Sequence, residues 1–137
     1  ERIGPTAALA TLEVMAEEKS WEQITATGNA IMDRWRDLAV SHGLTIKIAG
    51  LPAIASFSFE GDNAQAYKTL ITQEMLAQGY FSSNLIFSSL PHTNLVIEGY
   101  FEKLDPIFGL IKECEKGRDV MELLNGEICH SGFRRLN

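Results

Sequence analysis

Apolar residues recur every three or four positions along several stretches of the chain, and each recurrence predicts a helix with one face turned to a core. After Pro5, Leu9, Leu12 and Met15 fall on one face of a run rich in helix formers. Trp21, Ile24, Gly28, Ile31, Trp35 and Leu38 define a second helix. Ser20 with Gln23 reads as its capping box, Glu22 lies in its first turn, and Gly43 is placed to stop it. Asp62 with Gln65 repeats the start signal, and Gly79 the stop, around Tyr67, Leu70, Ile71 and Met75. Thr93 caps a further helix whose broad stripe, Ile97, Tyr100, Phe101, Leu104, Ile107, Phe108 and Ile111, runs to Gly117. Pro106 inside that stripe predicts either a kink or a restart, with Asp105 as cap and Pro106 at the first helical position.

Between the helices the period changes from 3.6 to 2. Ile46 and Ile48 alternate with Lys47, and after "GLPAI" Ser56, Phe57, Ser58 and Phe59 alternate again, which predicts a hairpin. Tyr80 to Ser89 predicts a third strand, with Phe81, Leu85 and Phe87 on one face and Ser82, Asn84 and Ser88 on the other. The order is helix, helix, strand, strand, helix, strand, helix. This is an α+β fold in which helices cover a small, mostly antiparallel sheet of about three strands. One domain is expected over residues 1–137: a helical lead-in over 1–43, an α/β sandwich over 44–116, and a short helix, around Val120 to Leu124, with a tail over 117–137.

The 137 residues suffice for one core, which at this size buries about two thirds of the unfolded surface. No apolar run approaches the ~20 residues of a membrane span. The net charge of −6 comes with scattered basic residues, of which only Arg134 and Arg135 are adjacent, so nucleic acid is a poor partner. Cys114 and Cys129 are too few for a disulfide framework and no secretory signal precedes them; a cytoplasmic location is expected.

Candidate chemistry is sparse. Cys129 and His130 are adjacent, and Cys114 and His92 could approach them, but the spacing matches no paired metal-ligand pattern. A Cys129 nucleophile fares no better, since neighbouring side chains in an extended tail point apart. A Schiff-base lysine must be desolvated, yet Lys19, Lys68, Lys103, Lys112 and Lys116 fall on polar helix faces or ends, and Lys47 alternates away from its apolar neighbours. Trp21 and Trp35 read as core or interface residues. The polar row Ser82, Asn84, Ser88 and Ser89, beside "SLPHT", either faces a cleft or lies open to water or to a neighbouring domain. No catalytic, cofactor or metal residue stands out.

Several segments together, "GPTAALATLEVM", "AGLPAIASFSFE", "EMLAQGYFSSN" and the closing stretch from "HTNLVIEGYFEKLDPIFGL" onward, resemble the C-terminal small domain of class III pyridoxal-phosphate-dependent aminotransferases, nearest the glutamate-1-semialdehyde aminomutase-like group. The resemblance covers nearly the whole chain. It implies a dimeric enzyme of fold type I, in which an upstream lysine holds pyridoxal 5′-phosphate (PLP) as an imine and a threonine and a helix start hold its phosphate, all before Glu1. On that reading the chain follows a PLP-binding domain of the same enzyme, closes one side of its substrate cleft, and alone neither holds the cofactor nor transfers amino groups. Semialdehyde aminomutases usually carry a Phe-Glu pair on the strand that here has Phe87-Ser88. The departure points to a different amino acid or amine as substrate and leaves Asn84, Ser88 and Ser89 as candidates for lining the cleft. The competing reading is a self-standing amino-acid-binding regulatory or dimerisation module.

Overall fold

A computed structural model describes residues 1–130 and 132. Among these the elements are α1 (Ile3–Glu17), α2 (Ser20–Ser41), β1 (Ile46–Leu51), β2 (Ile54–Phe59), α3 (Ala64–Ala77), β3 (Leu85–Phe87), α4 (Asn94–Glu115) and a 3-10 turn at Val120–Leu123. Arg134 and Arg135 lie outside the described residues.

The sheet is antiparallel throughout, in the order β1-β2-β3, so the expected α+β class and three-stranded sheet hold. β1 and β2 are joined by Pro52 and Ala53 alone, with Leu51 opposite Ile54 and Ile46 opposite Phe59. That register puts Ile46, Ile48, Ala55, Phe57, Phe59 and Ile86 on one face, the period-2 consequence of pleating. α2, α3 and α4 cover that face. The stripe of α4 is buried along its whole length, and Trp35 of α2, fully buried, meets Phe57 with ring centroids 4.8 Å apart.

Glycine ends the three long core helices where the pattern placed it. At the end of α2 the Leu44 N–H donates to the Ala39 carbonyl (2.8 Å) and the Gly43 N–H to that of Val40 (2.9 Å), with Gly43 at φ +62°. This left-handed stop is one that a residue with Cβ adopts only at a cost. The same pair of bonds closes α3 at Gly79 and Tyr80, and α4 at Gly117 and Arg118.

The starts of α2 and α3 differ from expectation. α1 ends at Glu17 and α2 begins at Ser20, so the helix is broken within two residues; Lys19 makes the break at φ 46° and is itself the N-cap. Ser20 is thereby drawn inside the helix, its hydroxyl buried without a partner, and Gln23 donates instead to the Glu18 carbonyl, so no capping box forms. α3 starts after Asn63 rather than Asp62, with no side-chain cap. Thr93 caps α4, accepting from the Val96 N–H. α4 continues through Pro106 without a restart at Asp105; Pro106 and Glu102, the carbonyl deprived of its donor, are both exposed, so water can serve in its place.

The third strand is shorter than expected, and the face that carries Ser88 turns to the core side. Only residues 85–87 pair, and Phe81, Leu85 and Phe87 point outward while Ile86 and Ser88 point to the core side. Register decides this, since Ile86 lies opposite the buried Ala55. The outer face of the sheet therefore exposes Leu51, Ile54, Leu85 and Phe87. α1 is joined directly to α2 but buries none of its own residues; Leu9, Leu12 and Met15 all remain exposed.

Candidate functional site

The segment leading into β3 is fixed by side chains bonding to backbone. The Asn84 amide donates to the Phe57 carbonyl (2.7 Å) while the Phe57 N–H donates to the Asn84 carbonyl, which extends the ladder by one residue. At the other end the Ser88 hydroxyl, 8% exposed, donates to the Pro52 carbonyl (3.0 Å), and the Ser88 N–H donates to the Ala53 carbonyl (2.9 Å). Asn84 and Ser88 thus staple β3 to β2 and to the hairpin turn.

Ser89 has a different partner. Its N–H and its hydroxyl both meet the Nδ1 of His92, at 3.0 and 2.9 Å. A ring nitrogen that accepts from a backbone N–H carries no proton, so neutral His92 bears its proton on Nε2.

His92 stands beside a cavity of about 440 Å³ between the Tyr80–Phe87 segment and the first turns of α4. The buried Ile31 and Tyr100 form its floor, and Phe81, Phe87 and Val96 contribute to its walls. Asn84, Ser88 and Ser89 do not line it; Ser82 of the expected polar row does, together with its neighbour Ser83. The Tyr100 hydroxyl accepts from the Trp35 indole N–H at 3.1 Å, and burial pushes its pKa up to about 12. A second phenol, Tyr67, is also pushed up to about 12, first by burial and then by its 2.7 Å hydrogen bond to Glu115.

The other candidates are dispersed. Cys114 is buried in the α4 stripe, with its thiol pKa raised chiefly by burial, whereas Cys129 meets Gln65 and Thr69 of α3. No group of three metal-ligating side chains exists among the described residues. None of the six lysines named above is buried, and none lines the cavity, so the cavity does not supply the amine that an imine-linked PLP requires. No helix is long and apolar enough to cross a membrane. The arrangement of His92 on Ser89 escaped the sequence reading, which weighed His92 only as a metal ligand; the Ser-x-x-His spacing ahead of a helix cap was the available signal.

No protein-family model matches the chain, and no curated protein matches it. Among solved structures it is similar to the FumI protein of Sphingopyxis sp. MTA144 in its PLP internal aldimine form, with a TM-score of 0.69 and 21% identity over 86% of this chain. The chain spans 29% of the length of that protein. The α+β fold described above is therefore one that a stretch of a PLP-bound protein adopts.

Proposed function

We propose that the chain is the small domain of a PLP-dependent aminotransferase or aminomutase, working with a PLP-binding domain of the same enzyme in a homodimer. The observation that carries this reading is the fold likeness, which spans most of this chain and under a third of a PLP-bound protein. The exposed apolar residues of α1 and of the outer sheet face support it, because contiguous apolar surface marks a place where something else packs. In this role the domain closes one side of the substrate cleft, and the cofactor, held elsewhere, supplies the electron sink.

A substrate other than glutamate-1-semialdehyde fits this chain better. Where such aminomutases usually place a glutamate, Ser88 is uncharged, buried and bonded to Pro52. It neither orients nor repels a charged substrate.

The test is the encoding reading frame upstream of Glu1, together with the isolated chain. An in-frame domain with a cofactor lysine is expected, and the chain alone, incubated with PLP and reduced with borohydride, should yield no stoichiometric pyridoxyl adduct by mass spectrometry. An initiator codon directly ahead of Glu1, or a trapped adduct on one of the chain's own lysines, overturns the reading.

A further inference from the structure

We propose that the open-mouthed cavity between the Tyr80–Phe87 segment and the start of α4 binds the alkyl chain of an amphiphilic carboxylate, with the carboxylate held by His92 Nε2–H at the N-terminus of α4. This goes beyond the domain assignment, since it gives the chain a non-covalent ligand of its own.

Three independent features converge on that chemistry. The cavity volume of about 440 Å³ lies in the range of about 300–1,000 Å³ typical of small-ligand sites. Its lining is dominated by aromatic and aliphatic side chains, among them Phe81, Ile86, Phe87 and Val96, and includes no Lys, Arg, Asp or Glu. An alkyl chain is welcome there, and a cationic head has no counter-charge. The lining group whose donor character is fixed is His92: because the Ser89 N–H donates to Nδ1, the Nε2 proton is left for a ligand acceptor. The polar end also lies where α4 begins, with no acidic residue in its first turn. The helix dipole there favours an anion over a neutral oxygen acceptor.

The experiment uses octanoate as probe on the 137-residue chain, with octylamine and octanol as controls. Isothermal titration and amide chemical shifts are followed in wild type, His92→Phe and Val96→Trp. Octanoate should perturb Ser83, Ile86, His92 and Val96, and bind more tightly than octanol, with octylamine weakest. His92→Phe keeps the apolar wall and removes the donor, and should weaken octanoate about tenfold, as expected for one hydrogen bond to a charged group, while leaving octanol unchanged. Val96→Trp, at a half-exposed position on the rim, should fill the cavity and abolish both without altering the far-UV spectrum. Equal binding of octylamine and octanoate, unchanged octanoate affinity in His92→Phe, or a dimer that buries Phe81 and that octanoate fails to displace, overturns the proposal.

Discussion

Gly28 of α2 lies directly against the backbone of Pro52 in the hairpin turn: a Cβ added to Gly28 would sit 1.8 Å from the Pro52 carbonyl oxygen. Two effects therefore compete in Gly28→Ala. Alanine gains up to about 1 kcal/mol in helix propensity, but overpacking costs about 1–3 kcal/mol. The obstruction here is backbone, which no rotamer change relieves. Net destabilisation of about 2 kcal/mol is expected, read as a lower urea midpoint. Gly4→Ala, with nothing within 4 Å of the added carbon, is the control and should be neutral or slightly stabilising.

Tyr67 and Tyr100 make folding sensitive to alkali. Both phenols are pushed from the ordinary 10.0 up to about 12 in the folded chain, so the folded state holds their protons more tightly than the unfolded state does. Their contribution is fully present below pH 10 and is lost as pH rises from there toward 12. Tm should fall between pH 10 and 12, with phenolate absorbance from these two residues developing late or together with unfolding. Tyr100→Phe removes the acceptor of the Trp35 N–H and should cost about 1–3 kcal/mol at neutral pH.

Ser20→Ala discriminates between a capping serine and a buried orphan. Loss of a true cap costs about 1 kcal/mol. Here the hydroxyl is buried with no partner and the residue lies inside the helix, so alanine should instead raise stability by about 1 kcal/mol. The sign of the change in thermal or urea midpoint decides.

α1 should exchange its amide hydrogens far faster than α4. A helix that buries no residue has little tertiary support, and about 15 residues are marginal on their own. Hydrogen exchange read by mass spectrometry checks this. If α1 is instead protected at high protein concentration, self-association through Leu9, Leu12 and Met15 is responsible, and Leu12→Glu should restore fast exchange without changing α4.

Much of the fold was legible because burial covered whole helical turns. The stripe from Ile97 to Ile111 admits only one inward face, and Gly43, Gly79 and Gly117 stop helices for a local steric reason. The third strand was not legible, because alternation fixes two faces without saying which is inside. The serine-bearing face turned inward because Ser88 found carbonyl and N–H partners in the hairpin turn and Ile86 found Ala55, pairings set by residues some thirty positions away in sequence. Asn84, Ser88 and Ser89 were legible as hydrogen-bonding residues; that their partners are backbone and His92 depends on tertiary register. Ser20 misled for a related reason, since the left-handed break after α1 relocates the cap to Lys19.

The sheet's order leaves β1 and β3 as its margins, and among the described residues neither has a neighbour on its outer side. A row of unsatisfied amides and carbonyls there is a template for strand addition. β1 is the more open of the two, being six residues long with Lys47 as its single charge. Lys47 accordingly acts as a gatekeeper: replacing it with valine would remove the electrostatic obstacle to edge-on stacking, and the chain would be expected to form ordered fibrils more readily during refolding than it does with the lysine in place.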